Sequence, residues 1–142
     1  MNAEVFVDTN VLLYTIDEDP ASASKRQRAE QLLLSERWGW SVQVAAEFFV
    51  NATSAKRPFK LAAVDAAALV ETWFTLPTAE LTPALVRAAF GLHQRYQLSY
   101  WDAAILAAAK SMGCRVVFSE DLNPGQVYDG VTVLNPFTGV SP

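Results

Sequence analysis

Val5-Phe6-Val7 is an unbroken apolar run, two of its three residues β-branched, and it is closed at once by a carboxylate, Asp8. A run of that kind fits a short strand buried on both faces, which is a property of parallel sheets covered by helices. Val116-Val117-Phe118 repeats the pattern near the other end and passes into Ser119-Glu120-Asp121. Trp38-Gly39-Trp40-Ser41, Ala79-Glu80-Leu81 and Val131 to Leu134 are further short strand candidates, the last entered through the turn Tyr128-Asp129-Gly130 and stopped by Pro136. Helical stretches lie between most of them, so the expected fold class is α/β: a three-layer α/β/α sandwich around a central parallel sheet.

The helical stretches are legible by period and punctuation. After Val11-Leu12-Leu13-Tyr14 and the polar break Asp17-Glu18-Asp19-Pro20, residues Ala21 to Arg37 carry Ala29, Leu32, Leu33 and the stem of Lys25 on one stripe. Arg26, Arg28 and Glu30 form its solvated side. Ser41 is placed to cap a helix from Val42 to about Lys56, striped by Val44, Ala45, Phe48, Phe49 and Ala52. Leu61 to Phe74 is an alanine-rich helix. Thr82-Pro83 opens another, striped by Leu85, Ala89, Leu92 and Tyr96. Ser99 starts the next, which ends at Gly113.

With 142 residues, 51% of them hydrophobic and 18% charged, the chain is expected to form one globular domain over residues 1–142. No apolar run approaches the roughly 20 residues of a membrane span, and Asp8 interrupts the first one too early for a signal peptide. Cys114 is the only cysteine, so an internal disulfide is impossible and a reducing cytoplasm is the expected location. The 15 acidic against 11 basic residues give a formal charge of −4, which argues against nonspecific nucleic-acid binding. Acids gathered around divalent cations would be negative in sequence and near neutral in the working protein.

Four acids stand out by context: Asp8 after the first strand, Glu47 beside an apolar helix stripe, Asp102 in the first turn of a helix, and Asp121 after the second apolar run. In open α/β sheets the carboxyl ends of strands and the starts of the following helices share the edge where ligands bind. Asp8, Asp102 and Asp121 belong to that edge, and Glu47 reaches it only through the tertiary fold. Crowded carboxylates repel, and without a counterion at least one is driven towards its protonated form. Oxygen ligands in that number suit a hard cation such as Mg²⁺ or Mn²⁺. Such an ion activates water and stabilises charge in phosphoryl transfer.

The segments VFVDTNVLLY, SVQVAAEFF, LSYWDAAILAAA and VVFSEDLNPGQ, followed by NPF, together resemble the PIN-domain nucleases, and within them the VapC-type toxins of bacterial toxin–antitoxin pairs. Each is a weak signal alone, but the four follow the family's order and span almost the whole chain. The resemblance implies an α/β/α sandwich and Mg²⁺- or Mn²⁺-dependent endoribonuclease activity. It carries Asp8, Glu47, Asp102 and Asp121 over as the catalytic, metal-binding acids, with Asn10 and Ser119 supporting them. Glu120 adjoins Asp121, so either could supply the fourth carboxylate; Asp121 is favoured. The resemblance further implies an RNA substrate, a cognate antitoxin and commonly a homodimer.

Plainer readings compete. Asp8 or Asn10 could simply cap the following helix, and Ser99-Tyr100-Trp101-Asp102 is also a capping-box-like start. Trp101, Trp73, Phe74, Phe48 and Phe49 read as core or interface residues rather than base-stacking platforms. His93 reads as a partly exposed helix residue and Cys114 as a buried strand residue, so a Cys–His nucleophile is unsupported. Lys56-Arg57-Pro58-Phe59-Lys60 reads as a solvated helix end, of interest only if RNA must be held nearby. No Gly-rich phosphate loop is present. One rival function is a PIN scaffold without turnover that acts as an RNA- or protein-binding module. Another is a phosphatase with Asp8 as covalent nucleophile, which would want a second acid at position 10, where asparagine stands.

Overall fold

The computed structural model describes residues 2–140. Strand β1 (Val5–Val7) is buried along its whole length. It pairs in parallel with β2 (Trp38–Ser41), Val5 opposite Trp38, and with β4 (Val116–Phe118), Val5 opposite Val116 and Val7 opposite Phe118. Beyond β2 lies β3 (Thr78–Ala79); beyond β4 lie β6 (Val131–Leu134) and then β5 (Val127–Tyr128). The order is β3-β2-β1-β4-β6-β5, so β1 stands inside the sheet, which is why its residues are apolar without alternation.

The expected α/β sheet is parallel except at one edge. β5 runs antiparallel to β6, with Tyr128 opposite Val131. Asp129 and Gly130 both take positive φ, 50° and 87°, the conformation a two-residue hairpin turn requires. The turn was readable from its Asp-Gly pair. β5 was not, because its two residues offer no periodicity.

Helices flank the sheet. Helix α6 (Tyr100–Ser111) buries every residue from Ala103 to Ala109. It packs against β2, β3, β4 and β6, with α5 (Pro83–Tyr96) over it. Five of those seven buried residues are alanine, which lets a helix lie close between two layers. Helices α1 (Thr9–Tyr14), α2 (Ala23–Ser35), α3 (Val42–Ala52) and α4 (Ala63–Trp73) form a second group, in contact α1 with α2 and α3, and α3 with α4. A 3-10 turn, Pro20–Ser22, leads into α2. Trp38, Trp40, Trp73 and Phe48 meet edge to face at centroid distances of 5.0–6.1 Å, joining β2 to α3 and α4.

Three helix starts follow their caps: Ser41 accepts from Val44 N at 3.2 Å, Thr82 from Leu85 N at 3.1 Å and Ser99 from Asp102 N at 3.1 Å. Helix α3 stops at Ala52 rather than near Lys56. The Thr53 hydroxyl bonds back to Phe49 O at 2.8 Å, and Ser54 accepts from Lys56 N and Arg57 N. Hydroxyl side chains here compete with the helix for backbone groups. The basic run 56–60 is therefore a turn and not a helix end, and Arg57 folds inward to bond Leu13 O at 3.1 Å.

Candidate active site

Asp8 leaves the sheet at the carboxyl end of β1, its N–H still donating to Phe118 O at 3.0 Å. One carboxylate oxygen accepts from Thr9 N at 2.7 Å, which caps α1. The other accepts from the Ser119 hydroxyl at 2.8 Å, across from the end of β4. Capping of α1 thus occupies one oxygen of Asp8 and leaves the other facing Ser119 and Asn10. Ser119 is fully buried, and its oxygen also accepts from Asp121 N at 3.2 Å and Leu122 N at 3.3 Å. One hydroxyl therefore orients Asp8 and shapes the turn that carries Asp121.

Asn10 ties the same two segments together. Its Nδ2 donates to Asp121 at 3.1 Å and more distantly to Asp8 at 3.4 Å, while its Oδ1 accepts from Glu120 N at 3.1 Å. Glu47, half-buried on α3, accepts from the Thr9 hydroxyl at 2.9 Å and from Gln43 Nε2 at 3.0 Å. Thr9 and Gln43 escaped the sequence reading. Gln43 carries the faint signal of standing four residues before Glu47 on one helix.

The adjacent acids Glu120 and Asp121 part company. Glu120 bonds the Lys25 ammonium at 2.6 Å and the Tyr14 hydroxyl at 2.8 Å. That bond holds Lys25 above the usual lysine range. Asp121 is exposed and lies on the Asn10 side. The Lys25 head was not foreseen, because it comes from α2, ninety-five residues away from Glu120.

Burial, above all, pushes the Asp8 carboxyl up to about 6, with the charges of Glu47 and Asp121 adding to it and the bonds from Ser119 and Thr9 opposing. Mutual repulsion was the expected cause, and desolvation is the larger one. Asp102 stands half-buried in the first turn of α6, and among the described residues no hydrogen bond links its carboxylate to the other acids. Asp8, Asn10, Ser119 and Asp121 are joined directly, and Glu47 joins through Thr9.

The donor set is oxygen only, without imidazole or thiolate, and Asp8 lies in a field that favours a cation. Both features fit a hard divalent ion. Among the described residues no three His, Cys, Asp or Glu side chains stand together as a ready-made cage. A groove of about 960 Å³ lies elsewhere, lined by Val42, Phe74, Ala79, Leu85, Ala107 and Met112 among others, and none of the four acids borders it. Cys114 is buried as expected, but it stands two residues before β4 and not in a strand, and burial pushes its thiol up to about 11. His93 is exposed and pairs with Leu98 O. Trp101 is not a core residue: it is 64% exposed. No described helix is long and apolar enough to cross a membrane.

Among solved structures, the chain is similar to the Mycobacterium tuberculosis VapC20 toxin, described as cleaving the sarcin–ricin loop. The TM-score is 0.65 at 23% identity, over 82% of this chain and 91% of that one. A toxin–antitoxin complex from Klebsiella pneumoniae matches with TM-score 0.65 at 20% identity, over 93% and 97%. DNA-bound VapBC from Salmonella typhimurium matches with TM-score 0.64 at 18% identity, over 94% and 98%. At these identities the likeness speaks for the fold. No curated protein matches the chain by sequence. The sequence pattern of the PIN domain matches residues 5–129, from β1 into the β5–β6 turn, and the chain belongs to the PIN-domain family.

Proposed function

We propose that the chain, as one PIN domain over residues 1–142, is a metal-dependent endoribonuclease and the toxin of a VapBC-type pair. PIN domains are typically metal-dependent ribonucleases. The observation that carries the reading is Asp8, held through both oxygens at the end of the inner strand, with Glu47 and Asp121 in electrostatic reach and its pKa at about 6. Such a group exchanges its proton for a cation near neutral pH.

Asp8, Asp102 and Asp121 would hold Mg²⁺ or Mn²⁺, with Glu47 binding directly or through water. The ion supplies a more acidic water and charge stabilisation at the phosphate. The chain's own residues do the positioning. Ser119 fixes Asp8 and the 119–122 turn together, Asn10 holds Asp121 beside Asp8, and Thr9 with Gln43 orients Glu47. Glu120 is occupied by Lys25 and Tyr14, which favours Asp121 as the fourth acid. A cytoplasmic home, where thiols stay reduced, agrees with the free Cys114. The likeness to folds solved as toxin–antitoxin complexes supports a cognate antitoxin that covers the site.

The test is incubation of the purified protein with structured RNAs in Mn²⁺ and then in EDTA, beside Asp8→Asn. Cleavage that needs both the metal and Asp8 is the expected result. RNA binding without cleavage in any metal would leave a binding module instead.

A further inference from the structure

Beside the acids lies a second, smaller pocket of about 240 Å³, lined by Asn10, Leu13, Tyr14, Asp17, Arg57 and Glu120. Asn10 belongs to both, so the pocket opens directly alongside Asp8 and Asp121. Its Arg57 is anchored by Nη2 on Leu13 O, while its Nε is withdrawn from solvent and has no hydrogen-bond partner among the described residues. A buried donor left unpaired costs free energy, and a turn of the Arg57 head towards an acceptor in the pocket would recover it.

The lining also tells what kind of acceptor fits. Glu120 is neutralised by Lys25, whose ammonium also sits 5.2 Å from the Tyr14 ring centre. Asp17 uses one oxygen to accept from Asp19 N at 3.0 Å, which leaves the other open to a donor. Counting Lys25, the wall has two cations and two carboxylates. A phosphate would meet Asp17 and Glu120 as well as Arg57. A neutral ligand that carries an acceptor on one side and a donor on the other meets no such conflict, and Leu13 and Tyr14 provide apolar surface for it.

We infer that this pocket holds one unpaired nucleobase of the substrate RNA next to the bond to be cut, and that it selects guanine. The inference rests on RNA being the substrate. Guanine offers its O6 and N7 acceptors to Arg57 and its ring N–H and amino donors to Asp17. Adenine would set its amino group against the guanidinium and bring no ring N–H donor. Sequence-specific RNA recognition generally reads such splayed-out bases along their edges. Arg57 and Asp17 are then specificity residues, distinct from the acids that do the chemistry.

The experiment measures binding in EDTA, where no turnover occurs. Labelled single-stranded oligoribonucleotides with one central G, A, C or U in a common background are titrated by fluorescence anisotropy. Wild type should favour the G oligonucleotide by about 10-fold, the scale of one good bidentate base contact. Asp17→Asn and Arg57→Gln should each reduce that preference to less than about 2-fold while leaving the A oligonucleotide unchanged. Arg57→Gln keeps an amide donor for Leu13 O, so it guards against an unfolded Arg57→Ala, and melting curves check both. Equal binding of all four oligonucleotides by wild type would overturn the inference. So would an equal loss for every sequence in Arg57→Gln, which marks a phosphate contact. Unchanged RNA binding with lost binding of polyglutamate would also overturn it, assigning the pocket to a protein carboxylate. Cleavage in Mn²⁺ without base preference would sink the base pocket and leave the nuclease standing; guanine preference without cleavage would do the reverse.

Discussion

Burial and two neighbouring acids disfavour the charged form of Asp8. Its pKa rises from 3.8 to about 6 in the folded chain, so the native state binds the proton more tightly than the unfolded one. The stability this gives is present below the unfolded value and is lost as pH rises through about 6, by at most roughly 3 kcal/mol. In EDTA, Asp8→Asn should therefore melt higher than wild type at pH 8, with the gap closing towards pH 4. Thermal melts across that range check it; a variant less stable by the same amount at both ends would refute the account. The place of Asp8 at the end of a buried strand was legible from its neighbours, whereas Asn10 and Ser119 were marked only by the family resemblance. The attachment of Glu120 to Lys25 was not legible, since it depends on how α2 lies across the sheet edge.

Elements show the same division. Strand β2 carries Gly39 opposite Phe6 of β1, and a Cβ there would stand 2.5 Å from Met112 Cε and 2.9 Å from both Ala3 Cβ and Pro77 O. The methionine tip can swing away and the proline carbonyl cannot. Gly39→Ala should cost about 1–3 kcal/mol by overpacking, read as a lower urea midpoint with an unchanged slope. A neutral result would mean that β2 has room to shift. At the start of α6 the capping hydroxyl belongs to Ser99, and Asp102 adds only its charge near the helix N-terminus, worth about 0.3–1 kcal/mol. Asp102→Asn should cost no more than that in EDTA, yet slow RNA cleavage in Mn²⁺ far more than about 10-fold. Nearly wild-type cleavage with a lower melting point would reduce Asp102 to a helix-start residue. Caps and apolar strands were readable because they depend on a few adjacent residues. The early stop of α3 at Ala52 was not, since Thr53 and Ser54 are compatible with helix until their hydroxyls find backbone partners.

For the whole molecule, the layer order follows from strand composition, and what lies on the outside does not. Phe90, 55% exposed, leans on Tyr100, and Tyr100 on Trp101, making an aromatic ridge over α5 and α6. Such a ridge offers apolar surface on which the homodimer implied by the family resemblance would form. Phe90→Glu should convert a dimer to a monomer in light scattering without lowering the melting point of the monomer. A wild-type monomer at tens of micromolar would dismiss the dimer. The sheet order has a consequence in time. A ribosome makes β1 well before the partner that completes Asp8, which is Ser119, one hundred and eleven positions later. Until then the nascent chain holds Asp8 and Glu47 without the turn that brings Asp121 to Asp8. Asp8 and Asp121 can be brought together only once the 119–122 turn has been made, so a chain released before it carries the first half of the arrangement and no means to close it.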